Sequence, residues 1–148
     1  CSSDLHQVYD FSLSCIPDNS LDYVFSYDVF CHISLSGQKE YITNLYKKCK
    51  QGCKLLIMYA DPKKYLNNEP ENIVNMTLGY SEEFIKKCNT HDSLIQNLID
   101  DSDGEVMAGR WYWVGIENFI DMCESNNFTI LSKDLDIDKT NPITLFEK

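Results

Sequence analysis

Apolar residues along the chain fall into short blocks separated by polar, turn-forming runs, and the spacing inside each block predicts its element. Leu5–Leu13 alternates loosely through Val8, Tyr9 and Phe11 and predicts a short strand. Pro17-Asp18-Asn19-Ser20 is a turn cluster, and Leu21–Ser26 after it is a compact β-branched and aromatic run, the look of a strand buried on both faces. Tyr41, Ile42, Leu45 and Tyr46 recur at helical spacing. They predict a helix capped by Ser36, beginning near Gly37, closing on Lys47, Lys48 and Lys50, and ended by a left-handed Gly52. Lys54–Ala60 predicts a second buried strand, left at Pro62. From Pro62 to about Arg110 the composition turns to Asn, Glu, Lys and Asp. Helices are expected there over Ser81–Cys88 and Asp92–Leu98, with Ser81 and Asp92 as caps. Trp111–Val114 begins an ordered segment. Gly115–Ser125 carries Ile116, Phe119, Ile120 and Cys123 on one helical face, and Asn126-Asn127 breaks it. Phe128–Leu131 and Ile143–Phe146 predict an antiparallel strand pair. Strands alternating with helices imply an α/β fold, a parallel sheet with helices on both faces.

Composition narrows the function class. A net charge of −10 and a pI near 4.6 oppose nucleic-acid binding, which rests on neutralising phosphates, and suit a protein acting on small molecules. A run of ~18 apolar residues, the length of a membrane span, does not occur. The first residues carry neither a basic flank nor an apolar core, so no secretory signal is expected. The absence of an initiator Met predicts a start inside a longer gene product, a processed protein or a trimmed chain. Seven Cys, several within apolar runs, suit reduced thiols of a cytoplasmic protein better than a disulfide frame. Cys49 and Cys53 lack the second Cys or His pair of a zinc knuckle, and Asp100–Gly104 lacks the spaced ligands of an EF-hand. No metal site is therefore expected.

Ile16–Ile33 reads Ile-Pro-Asp-Asn-Ser-Leu-Asp-Tyr-Val-Phe-Ser-Tyr-Asp-Val-Phe-Cys-His-Ile. It resembles the run leading through the fourth strand of the class I S-adenosylmethionine-dependent methyltransferases, where a His often follows. Cys49–Ile57 resembles that family's Leu-Lys-Pro-Gly-Gly turn and fifth strand, with Gln51 in place of Pro and Cys53 in place of the second Gly. The closing helix, strand, acidic loop and strand fit the sixth and seventh strands. The resemblance implies a Rossmann-like methyltransferase sheet, partial from the third to the seventh strand. It would be a three-layer αβα domain over residues 1–148, with 62–110 as a helical insert or lid. The glycine-rich loop and the ribose-binding acid of the family are absent: the six Gly form no G-x-G-x-x-G. The first two strands are therefore expected ahead of Cys1.

In open α/β sheets ligands sit outside the carboxyl ends of the strands, which selects the positions near Asp10, Ser26 and Tyr59. The resemblance implies S-adenosyl-L-methionine as cofactor, with Asp10 and Phe11 at the adenine and Ser26 and Tyr27 under the sulfonium end. His32 and Asp61 are the candidate bases, because methyl transfer to a hydroxyl or ammonium needs a proton acceptor. Tyr59, Arg110 and Tyr112 are the candidate contacts to a small-molecule acceptor. The bland alternatives are a turn for Asp10, a cap before Pro62 for Asp61, and core packing for Trp113. Two functions follow: methyl transfer by the full-length parent, or an inactive fragment or interaction module. In the second case an exposed strand edge invites self-association. A nucleotide-sugar or NAD enzyme is disfavoured by the missing dinucleotide fingerprint. No membrane partner is expected.

Overall fold

The computed structural model describes residues 5–7, 10–104 and 110–148. Its sheet has four strands: β1 (Leu21–Ser26), β2 (Cys49–Met58), β3 (Thr129–Ser132) and β4 (Ile143–Glu147), in the order β1-β2-β4-β3. β1 and β2 are parallel; β4 runs antiparallel to both β2 and β3. The crossover between the parallel strands is a 3₁₀ turn at Phe30–His32 followed by α1 (Leu35–Lys48). Between β2 and β3 lie α2 (Pro62–Asn68), α3 (Ile73–Met76), α4 (Glu82–Lys87), α5 (His91–Asp100) and α6 (Ile116–Ser125). No helix among the described residues is long and apolar enough to cross a membrane.

The period-2 alternation of β2 divides the core into two layers. Cys53, Leu55, Ile57 and Tyr59 face α1 and α6, where they meet Ile42, Leu45, Phe119 and Cys123. Leu56, Met58 and Ala60 face the other way, towards Tyr65 and Leu66 of α2, Met76 of α3, and Leu94 and Leu98 of α5. Each large apolar side chain taken fully from water contributes roughly 1.5–3 kcal/mol, so these two stripes are the main source of stability.

Several local expectations are corrected. Helix α1 is capped by Ser34, whose hydroxyl accepts the Gly37 amide at 3.2 Å. The Ser36 amide goes instead to Asp103 Oδ1 at 2.7 Å. Gly52 does not end that helix. It lies in β2, in a bulge between the pairs Leu21–Cys49 and Tyr23–Lys54, where its φ of +80° is one that glycine adopts without strain. The cap of α5 is Thr90, in a reciprocal box with Ser93, and Asp92 sits in the first turn. Pro62 does more than close β2: Asp61-Pro62 is the cap and first residue of α2. The strand expected over Leu5–Leu13 does not form at its described positions. The Asp10 carboxylate takes both the amide and the hydroxyl of Ser12, making a local turn instead of a ladder. Val8 and Tyr9 lie outside the described residues. Among the described residues β1 is therefore an edge strand. Its Tyr23 and Phe25, on the face of Leu56, are 78% and 71% exposed.

Candidate functional site

The carboxyl ends of β1 and β2 open onto one region built from four segments. The β1 exit supplies Ser26, Tyr27 and Asp28, and the 3₁₀ turn supplies Cys31 and His32. The β2 exit supplies Tyr59, Ala60 and Asp61. The fourth segment is Trp111–Gly115, tied to β2 by a parallel bridge between Ala60 and Trp113 and to the turn by the Tyr112 amide, which donates to the Cys31 carbonyl at 2.7 Å.

At the β1 exit, Asp28 has a left-handed φ of 56°, which brings its carboxylate to 3.4 Å from the Cys31 thiol. Burial, reinforced by the Asp28 charge, pushes that thiol up to about 12. Asp28, Cys31 and His32 offer three ligand atoms within 4.8 Å of one another, a donor set of the kind zinc takes. The hydrogen bond from the Cys31 thiol to the Asp28 carboxylate brings those two groups together. Tyr27 donates its hydroxyl to Asp138 Oδ2 at 2.8 Å, fastening the β3–β4 loop over the strand end. Asp138 is a residue that sequence reasoning missed. Burial raises its carboxyl, but the amides of Asn141 and Thr140 and the Tyr27 hydroxyl outweigh it and hold the group below the usual carboxylate value. The signal was the Asp-Lys-Thr-Asn run, which has the composition of an Asx turn. His32 is exposed, and its ring lies edge-on to Trp111 with centroids 6.3 Å apart.

The β2 exit is structural. Asp61 is buried, and its two oxygens accept the amides of Lys64 at 2.5 Å and Ile116 at 2.8 Å. One carboxylate thus caps α2 and holds the start of α6. Tyr59 is wholly buried, stacked on Phe119 at 3.8 Å between centroids, and its hydroxyl pairs with that of Thr144 at 2.9 Å. Arg110 is buried between the rings of Tyr80 and Tyr112, at 4.3 and 5.0 Å, and its guanidinium donates to the Asp101 carbonyl and carboxylate. Tyr112 is buried beneath it. Asp10 is exposed at the far end of its turn; hydrogen bonds from Ser12 hold its carboxyl below the ordinary value. Phe11 packs on Tyr41 at 5.0 Å and accepts the Asn44 amide through its carbonyl. The structure thus places Ser26 and Tyr27 at the end of β1 and His32 in the 3₁₀ turn that follows. It uses Tyr59, Asp61, Arg110 and Tyr112 as interior supports.

Beside His32 lies a cavity of about 220 Å³ lined by Tyr65, Asn75, Leu78, Trp111 and Trp113. Tyr65 stands nearly perpendicular to both indoles, at 86° to Trp111 and 75° to Trp113. Trp113 Nε1 donates to the Met76 carbonyl at 3.1 Å, which fixes its ring.

No protein-family model matches the chain, and no curated protein does. Thirteen chains of known structure match it. Over 96% of its length it superposes on a SAM-dependent methyltransferase from Methanosarcina mazei, with a TM-score of 0.52 and 14% identity. The fold is that of the class I S-adenosylmethionine-dependent methyltransferases. Over 94% of its length this methyltransferase fold also matches PigF with SAH, at a TM-score of 0.51 and 12% identity. Over 93% it matches a structure described as conversion of a disulfide bond into a thioacetal group during echinomycin biosynthesis, at 0.53 and 11%. The chain spans 66%, 37% and 52% of those three chains, respectively.

Proposed function

We propose that this chain forms one side of an S-adenosylmethionine-dependent methyltransferase acting on a small-molecule acceptor, the rest of the cofactor cleft being supplied by further residues of the parent protein. The observation that carries the reading is the β1 exit. Ser26 and Tyr27 stand at the carboxyl end of β1 and His32 in the turn that follows it, and the strand's outer edge is open among the described residues. The residues present fit one wall of a cofactor site. The glycine-rich loop that would cradle the methionine end is not among them. When bound, S-adenosyl-L-methionine supplies the electrophilic methyl group on its sulfonium. Ser26 and Tyr27 would line the cofactor's path across the strand end. Asp138 holds the Tyr27 ring in place through the phenolic hydrogen bond. The His32 imidazole, exposed and beside Trp111, would accept the proton released by a hydroxyl or ammonium acceptor. Asp61 acts as a positioning residue, since both its oxygens are engaged by backbone amides. The segment 62–110 supplies the acceptor side of the cleft. Calorimetric titration of the full-length parent with S-adenosylmethionine tests this. Saturable heat is expected, and none at near-millimolar ligand would overturn it.

A second reading, an inactive interaction module, is favoured by one observation: the exposed Tyr23 and Phe25 on an edge strand. The 148-residue chain would then self-associate, and replacing both residues with Lys would return it to monomer. Sedimentation velocity showing the unaltered chain monomeric at high concentration argues against it.

A further inference from the structure

We propose that the cavity formed by Tyr65, Asn75, Leu78, Trp111 and Trp113 binds a flat, uncharged aromatic ring, and that this ring belongs to the methyl acceptor. The second half of this statement rests on the methyltransferase reading; the first does not.

The walls select the ligand. Tyr65 and Trp113 are almost wholly buried and form a floor, Trp111 is a half-buried wall, and Leu78 stands at the rim, 57% exposed. Three rings meeting with centroids 5.3–6.1 Å apart leave a corner whose faces and edges suit offset or edge-on packing of a fourth ring. Among the described residues no charged side chain lines the cavity, and the one amide there is that of Asn75. Among the described lining residues a quaternary ammonium would find aromatic faces but no carboxylate to balance its charge, and a carboxylate or phosphate would find no cation. A neutral ring bearing a single hydrogen-bonding substituent within reach of Asn75 satisfies every wall. The volume, about 220 Å³, lies below the usual range of drug-sized sites and suits one or two fused rings.

The cavity is also built to be rigid. Trp113 is pinned through its indole N–H to Met76 and by the bridge to Ala60. Tyr65 rides on α2, whose cap, Asp61, also fixes the start of α6. Rings held in place before binding lose little freedom when a ligand arrives. Trp111 touches both this cavity and His32, so a ring seated here carries its substituents towards the strand end where the cofactor side lies.

The chain has two tryptophans, and both line the cavity, so its intrinsic fluorescence reports on this site directly. The 148-residue chain is titrated with 1-naphthol, without cofactor, alongside cyclohexanol and tetramethylammonium. Saturable quenching by naphthol at sub-millimolar concentration, with no saturation by the other two, is expected. Leu78→Glu, a rim change that leaves the unfolding midpoint in place, is expected to weaken naphthol at least tenfold. Linear, non-saturating quenching by naphthol overturns the proposal, as does saturation by tetramethylammonium at equal or lower concentration or an unchanged affinity in Leu78→Glu. Naphthol saturation in a protein whose parent gives no heat with S-adenosylmethionine leaves the ring site standing and removes the methyl-transfer reading. Heat with S-adenosylmethionine but no naphthol saturation does the reverse.

Discussion

β1 and β2 are parallel neighbours of similar apolar character, yet their surroundings differ. β2 is flanked by β1 and β4 and covered on both faces, and Leu55, Ile57 and Met58 are almost fully buried. Among the described residues β1 has one neighbour, and Val24 alone among its central residues packs on the core. Tyr23 and Phe25 stand in water although their sequence run looks as buried as that of β2. Apolar composition records what a strand packs against in its whole protein. Exposed aromatic residues on an edge strand mark a face open to another element or chain. The same contrast divides the site. The β2 exit is closed and structural, while the β1 exit is open and carries Ser26, Tyr27 and His32.

The largest expected difference is between the two strands themselves. Leu55→Ala, at a site with no exposed surface, should cost about 2–5 kcal/mol in denaturant unfolding, whereas Phe25→Ala should cost under about 1 kcal/mol. Comparable losses at the two positions would show β1 covered by something else. Asp61→Ala comes next. It strips two backbone amides of their acceptor and should cost about 1–3 kcal/mol, with the midpoint shifted and the denaturant slope unchanged. Tyr27→Phe removes one exposed hydrogen bond to Asp138. A small loss of stability is expected, with faster amide exchange confined to the β3–β4 loop.

The smallest effect is on pH. Asp134 and Asp138 have folded carboxyls held below their ordinary value. In both, opposing burial is outweighed, by Lys64 and neighbouring amides for Asp134 and by amides and Tyr27 for Asp138. A depressed folded pKa means stability that is fully present above the unfolded value, about 3.9, and lost as pH falls through the folded one. The β3–β4 loop should therefore loosen below about pH 4, and Asp138→Asn should flatten that dependence in a pH series of loop amide exchange. An unchanged slope in the variant would remove Asp138 as its source.

Much of the architecture was legible because periodicity is a local property. Leu21–Ser26, the Tyr41–Tyr46 stripe, Gly115–Ser125 and the final strand pair all appear where their spacing placed them. Errors arose where tertiary partners decide. Gly52 ends no helix because the Lys148 carbonyl accepts its amide at 2.7 Å within the sheet, and Thr90 outcompetes Asp92 because Ser93 reciprocates. Exposure was legible at the β1 exit, where a turn follows the strand. It was not legible at Tyr59, Asp61 and Arg110, whose roles depend on Thr144, Ile116 and Asp101, residues distant or unremarkable in sequence. The aromatic cavity needed Tyr65 and Trp111 to meet across 46 positions, which no local pattern encodes.

Amide chemical-shift mapping of the full-length protein during titration with S-adenosylhomocysteine is the most direct check on the open strand end as the cofactor side. Saturable shifts centred on Ser26–His32, with Leu55–Met58 unmoved, are the expected result. Saturation with those residues silent, or no saturation at millimolar ligand, would contradict it.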